Sequence, residues 1–292
     1  MNTRVAGAFL FLTLVWGASF LWIKIAVEDV GPYALVAVRL VFGLAWLVVI
    51  LAVQKPRLPR DRRTWRALVI LGFTNTALPW LLISWAEQSI DSALATVLNG
   101  TVPLFTILLA HFLLRDDRMS VPRILGLLVG FSGVVVLARR TVGVETDAAM
   151  TPGLLGQGAM LGAAILYAFS SVFARRHLRE VPPVVVAFYS MAIATAILWL
   201  ALPLSSVSLA LPSRPVVWIA LIWLGVLGAG VASYILYFLL QTVGPTRTSL
   251  VTYMIPVVGV TLGVVVLKEL LDFNLVAGTV LIVSGVWVVG RK

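Results

Sequence analysis

The sequence predicts an all-α integral membrane protein: ten transmembrane helices built as two inverted five-helix repeats. Three observations carry that expectation. Hydrophobic residues fill 61% and charged residues 12% of the 292 positions, with a mean hydropathy of +1.05, whereas a soluble domain is about 45–50% apolar and about 25% charged. Ten apolar stretches punctuate the chain, and its two halves resemble each other. Too few polar side chains remain to coat a water-facing surface, which excludes a soluble enzyme and a disordered tail. With no cysteine, a disulfide scaffold is excluded too.

A helix needs about 20 mostly apolar residues to cross about 30 Å of hydrocarbon. In order, the stretches are 5–27, 32–53, 67–85, 92–114, 124–138, 153–174, 184–204, 216–240, 249–267 and 273–290. Connections between them are brief, so function must reside among the helices. Barrel strands would alternate in polarity, but 41–53 is apolar on every side, which selects helices. Arg4 before an apolar run resembles the start of a signal peptide, yet no small-x-small cleavage signature precedes Trp22 and the run is long enough to span. The first helix is expected to be retained.

Lysine and arginine set the orientation. With the N-terminus inside, sixteen fall on the cytoplasmic side: Arg4, the group from Lys55 to Arg66, Arg115, Arg118, Arg123, Arg175, Arg176, Arg179, Arg247, Arg291 and Lys292. Five fall opposite: Lys24, Arg139, Arg140, Arg214 and Lys268. The positive-inside bias puts both termini in the cytoplasm. The net charge of +10 is then a topology signal with contacts to anionic lipid, not a nucleic-acid footprint.

At an offset of 151, Gly7, Trp16, Ser19, Lys24 and Pro32 meet Gly158, Tyr167, Ser170, Arg175 and Pro183. At 153, Gln88, Asn99, Pro103 and Asp116 meet Gln241, Thr252, Pro256 and Glu269; at 152, Gly126, Ser132 and Gly133 meet Gly278, Ser284 and Gly285. This divides the chain into a first repeat (1–141), a linker (142–152) and a second repeat (153–292). Five spans per half force the second half to enter the bilayer upside down, an arrangement typical of secondary transporters.

Trp16-Gly17-Ala18-Ser19-Phe20 in the first span, Arg39 in the second, the Ala/Ser-rich opening of the fourth with Pro103, and a carboxylate after that span resemble the EamA-type members of the drug/metabolite transporter superfamily. The likeness covers the whole chain as two tandem five-helix units. It departs at Arg115-Asp116-Asp117-Arg118, where the family usually has a Gly-Glu-like pair; Leu267-Lys268-Glu269 is closer. The resemblance implies a multi-pass protein of the bacterial cytoplasmic (inner) membrane that exports amino acids or related metabolites. The abundance of aromatic residues resembles the exporters of aromatic and other neutral amino acids. A multidrug, nucleoside or sugar efflux carrier is the alternative.

Proline within a membrane helix frees the carbonyl four residues earlier. Pro79, Pro103 and Pro256 would free Asn75, Asn99 and Thr252, all of which also carry polar side chains. Around them lie Trp16, Ser19, Phe20, Trp80, Tyr167, Ser170, Tyr234, Tyr237 and Tyr253. Convergence at one cavity would suit a zwitterion with an apolar side chain, the carbonyls and Asn99 meeting its ammonium, hydroxyls and helix-end amides its carboxylate, and rings its side chain. Helix–helix hydrogen bonds and interfacial packing are the plainer use of the same residues.

Arg39 lies about 10 Å below the outer surface. Either it snorkels outward, or it serves as a carboxylate ligand or gate charge. Glu87, Asp91, Asp116, Asp117, Glu269 and Asp272 all cluster at span ends, so no buried carboxylate relay is expected and export is read as gradient-driven. Gly126 with Gly130, Gly158 with Gly162, and Gly259 with Gly263 follow the small-xxx-small spacing that permits close helix approach, within a monomer rather than a dimer.

Gly17-Ala18-Ser19-Phe20 faintly resembles the Gly-x-Ser segment of intramembrane serine proteases, but His111 falls near the inner face and His177 in a cytoplasmic loop, away from Ser19. No zinc motif, P-loop or nucleotide fingerprint occurs. The expectation is a carrier, not an enzyme, without cofactor or metal, whose partners are a small-molecule substrate and membrane lipids.

Overall fold

The computed structural model describes residues 3–113, 119–142, 151–204, 209, 212–248 and 251–290. The expected Arg115–Arg118 departure, most of the linker, and Arg291 with Lys292 lie outside these residues. All regular elements among them are helical: α1 (Thr3–Gln54), α2 (Arg62–Leu71), α3 (Leu78–Ala86), α4 (Ser92–Asn99), α5 (Val102–Leu113), α6 (Val121–Val142), α7 (Pro152–His177), α8 (Pro183–Ala201), α9 (Pro215–Trp223), α10 (Ala232–Thr242), α11 (Pro245–Thr248), α12 (Val251–Val266) and α13 (Phe273–Gly290).

Seven stretches among the described residues are helical, long and apolar enough to cross a membrane: Thr3–Gln54, Arg62–Ala86, Ser92–Leu113, Val121–Arg139, Pro152–His177, Pro183–Ala201 and Pro215–Thr242. Met254–Val266 and Phe273–Val289 are shorter apolar helices. The 52-residue α1 is not one rod, because Gly31 adopts φ 73°, ψ 167°. Pro32 bars its predecessor from helical geometry, and only glycine holds this positive φ without strain. The chain therefore breaks between residues 3–30 and 32–54.

Two stretches depart from α-geometry in a way the hydropathy does not signal. Gly72–Ala77 joins α2 to α3 as a π-segment, and Leu224–Val231 joins α9 to α10 in the same way. A wider i→i+5 turn fits the first, since Pro79 just downstream cannot donate to Asn75. Gly72 and Gly225 are equivalent at the offset of 153. A Cβ on Gly72 would lie 3.0 Å from Ser190 O, and one on Gly225 would lie 2.8 Å from Arg39 O; Ser190 and Arg39 are themselves equivalent at 151. Each π-segment thus abuts the second helix of the other half.

Helices α6 and α13 meet through glycines with the same reciprocity. A Cβ on Gly126 would sit 2.6 Å from Gly285 O, and one on Gly133 would sit 2.8 Å from Gly278 O. Residue numbers rise along one helix as they fall along the other, so the pair is antiparallel. The expected use of glycines as close-approach points holds for Gly126 and Gly130, and for Gly259 and Gly263. Among the described residues it fails for Gly158, which has nothing within 4 Å, and for Gly162, whose one neighbour is Leu82 at 3.7 Å. Spacing marks a smooth stripe but not whether a neighbour lies against it.

Span hydroxyls mostly satisfy themselves within their own helices. Thr96 donates to Ser92 O at 2.5 Å, Thr106 to Val102 O at 2.8 Å, Ser190 to Val186 O at 2.5 Å and Thr195 to Met191 O at 2.8 Å. Such i−4 bonding removes the cost of a hydroxyl in an apolar helix without a partner helix.

Candidate functional site

The first half of α1 turns one face inward through Trp16, Ser19, Phe20 and Ile23, at i, i+3, i+4 and i+7. Arg39 from its second half, Asn75, Trp80 and Ile83 around α3, Asn99 and Val102 at the α4–α5 break, and Tyr167 and Ser171 of α7 complete one side. Gly228, Ser233 and Leu236 around α10, with Thr248 and Thr252, close the other. Together they surround about 910 Å³ of unfilled space, the open solvent at its mouth included.

The α4–α5 break arises locally. Pro103 has no N–H for the Asn99 carbonyl, so Gly100 turns back to Thr96 O and Val97 O at 3.1 and 3.0 Å, and Thr101 Oγ1 donates to Leu98 O at 2.6 Å. Asn99 is 6% exposed, and its Oδ1 has no hydrogen-bond partner among the described residues. The residue is part of the cavity lining. Trp16 Nε1 donates to Gly228 O at 3.2 Å, anchoring the first span to the second π-segment. Ser19 Oγ donates to Val15 O at 2.7 Å. Asn75 Nδ2 donates to Tyr237 Oη at 3.2 Å, and that hydroxyl stands 3.4 Å from Ser190 Oγ.

Arg39 does not snorkel. It is 5% exposed, its guanidinium carbon lies 4.0 Å from the centroid of the Trp80 ring, and Tyr167 stands beside it. Its Nε has no hydrogen-bond partner among the described residues. Snorkelling assumes lipid around a lone helix; here the neighbouring ring offers a face to the cation, worth about 2 kcal/mol when desolvated.

Three expected residues lie elsewhere. Ser170 is buried and hydrogen-bonded to Thr74 Oγ1 at 2.8 Å, and its neighbour Ser171 lines the cavity instead, four residues after Tyr167 on the same helix face. Tyr237 supports Asn75 from behind, and Tyr234 Oη accepts from Gln54 Nε2 at 3.4 Å. The side chain of Tyr253 lies outside the described residues. Pro79 and Pro103 flank helix interruptions, whereas Pro256 is carried inside α12. Ser171, Gly228, Ser233 and Thr248 line the cavity without having been expected there from sequence. Gly228 was within reach, being the offset-153 equivalent of Asn75.

Glu87 lies at a span end as expected, directly after α3, but it is buried there, at 0% exposed. The turn after α3 folds under Lys24, whose Nζ donates to Glu87 O at 2.7 Å and Ile90 O at 3.0 Å. Being at a helix end placed Glu87 along the axis, but said nothing of what covers it. His111 accepts from Met119 N at 3.1 Å and is not among the cavity residues.

Comparison with known proteins gives one result throughout. The EamA-like transporter family matches residues 4–139 and again 154–291. The uncharacterized transporter YoaV of Bacillus subtilis (strain 168) is 23% identical over 278 residues, covering 94% of this chain and 93% of its own length. The uncharacterized inner membrane transporter YedA of Escherichia coli (strain K12) is 26% identical over 259 residues, covering 88% and 81%. A protein of known crystal structure shares the fold with a TM-score of 0.73 at 23% identity, covering 99% of this chain and 96% of the other. Apolar helices around a shared cavity, a family match in each half and relatives named as transporters agree, and the chain is a multi-pass membrane protein belonging to the EamA-like transporter family.

Proposed function

We propose that this chain is a secondary transporter that exports aromatic and other neutral amino acids by alternating access to its central cavity. The observation that carries this reading is chemical complementarity. One cavity is lined by Arg39 and Asn99, whose buried Nε and Oδ1 have no hydrogen-bond partner among the described residues, and by Trp16, Phe20, Trp80 and Tyr167. An amino-acid carboxylate suits the first, its ammonium the second, and a ring side chain the aromatic walls. The cavity's charged lining residue is a cation, which disfavours the organic cations of a multidrug pump.

Ten crossings follow if Thr3–Gln54 counts as two at Gly31 and the two shorter helices each span. The reciprocal contacts of Gly126 with Gly285 and Gly133 with Gly278, and of the two π-segments with Arg39 and Ser190, support an inverted pair of repeats with boundaries near 141 and 153. The ends of such a pair need not be in the same state. Lys24 is fastened to the turn after α3, while its repeat partner Arg175 lines a second open space of about 720 Å³ with Arg179 and Gln241. One end closed and the equivalent end open is the asymmetry that alternating access requires. The basic loops support a bacterial inner-membrane protein with both termini on the cytoplasmic side, and the proposed transport involves no catalytic step.

Counterflow tests this reading. Vesicles holding the reconstituted protein and preloaded with unlabelled L-tryptophan are expected to accumulate external labelled L-tryptophan transiently above equilibrium. A channel gives no overshoot, and failure of every amino acid to compete removes the substrate class.

A further inference from the structure

Resting on the alternating-access reading above, we propose that Arg175 is the gate residue of the open end. When the central cavity turns to the other side of the membrane, its guanidinium donates to Leu240 O and Val243 O and shuts the second space, while Lys24 releases Glu87 O and Ile90 O. The closed end already displays this lock. Lys24 Nζ donates to Glu87 O at 2.7 Å and Ile90 O at 3.0 Å, which holds the first span against the turn after α3. Lys24 corresponds to Arg175 at the offset of 151, and Glu87 and Ile90 correspond to Leu240 and Val243 at 153. All three counterparts line the second space, yet no hydrogen bond joins Arg175 to either of the other two among the described residues.

The parts are within reach. A Cβ on Gly244, the residue after Val243, would lie 3.5 Å from Arg175 Nη1. Leu240 belongs to the last turn of α10 and Val243 directly follows that helix. Carbonyls there have no N–H ahead of them and stand at the negative end of the helix dipole, so a cation is a suitable partner. A second bond has the opposite sense. At the open end Gln241 Nε2 donates to Val181 O at 2.5 Å, whereas the counterparts Gln88 and Val30 share no bond among the described residues. Each end thus carries a bond that its counterpart lacks, the pattern expected if two mirror-related arrangements exchange them.

The test reads both ends on the full chain in vesicles. The sequence has no cysteine, so Arg179→Cys with Thr242→Cys puts a pair of spin labels across the second space. Glu28→Cys with Ser89→Cys, their repeat counterparts, puts a pair at the end held by Lys24. Pulsed electron resonance is expected to give two distances for the first pair, the shorter matching the main distance of the second. Arg175→Ala is expected to lower the shorter population at least about tenfold, from the loss of two charge-assisted hydrogen bonds. Arg175→Lys, which copies its counterpart, is expected to restore it, and Lys24→Ala to enlarge it. Arg176→Ala removes the same charge from the same turn of α7 without touching the lining, and is expected to shift neither population. A purely structural Arg175 would lower the unfolding midpoint without moving the populations in opposite directions. Two distances that persist unchanged in Arg175→Ala keep alternating access and overturn the gate; one fixed distance in every variant overturns both. If no amino acid shows counterflow, the substrate class falls, and the distances still decide the gate.

Discussion

Replacing Arg39 with methionine is expected to raise the apparent KM for L-tryptophan about 30- to 150-fold while leaving the thermal unfolding midpoint within a few degrees of wild type. The size follows from losing a charge-assisted hydrogen bond to the substrate, about 2–3 kcal/mol at about 1.4 kcal/mol per tenfold. The small effect on stability comes from opposing contributions. Removing a buried charge in favour of an apolar chain of similar length is often neutral or stabilising by about 1–4 kcal/mol. Against it stands the lost contact with the Trp80 ring at 4.0 Å, of about 2 kcal/mol. Arg39→Lys keeps the charge but loses the planar fork, so an intermediate KM is expected. Transport kinetics and thermal melts on the same preparations separate the readings. An unchanged KM with a collapsed midpoint would make Arg39 a structural residue and remove the carboxylate anchor from the proposed site.

What the sequence carried well is whatever depends on position along one helix. The face Trp16, Ser19, Phe20 follows from helical period alone, and the structure extends it to Ile23. The helix interruption after Asn99 follows from Pro103, because a missing N–H is a local fact. What depends on a neighbouring helix was not legible. Arg39 was located at the right depth, but Trp80 beneath it was invisible, so outward snorkelling stood as an equal option. Glu87 was read as an end residue, and only Lys24, sixty-three residues earlier, reveals the cover. Ser170 and Ser171 differ by one position, about 100° of helix rotation, and hydropathy cannot choose between them. The two π-segments left no hydrophobic signature, yet they fall at repeat-equivalent positions, so a pattern too weak to predict in one half recurs in the other.

Glycine substitutions separate spacing from contact. Gly285→Ala is expected to lower the unfolding midpoint in detergent by roughly 5–10 °C, as about 2–3 kcal/mol of overpacking, with Gly158→Ala at or slightly above wild type. A Cβ on Gly285 would lie 2.5 Å from Gly126 O and 2.6 Å from Gly130 Cα, with Gly130 N also in the way. All three are backbone atoms of α6, which cannot swing aside as a side chain tip can. The methyl must therefore push α6 and α13 apart along their whole crossing. Better helix propensity returns at most about 1 kcal/mol. At Gly158 that gain stands almost alone, because nothing among the described residues lies within 4 Å of the added carbon. Both glycines sit in apolar helices, so any difference between the two variants reports the interhelical contact and not the substitution itself. Intrinsic fluorescence of the ten tryptophans during heating measures it. Equal midpoints for the two variants would mean that α6 and α13 are not held at glycine distance, and the reciprocal contact that supports an inverted pair of repeats would go with it.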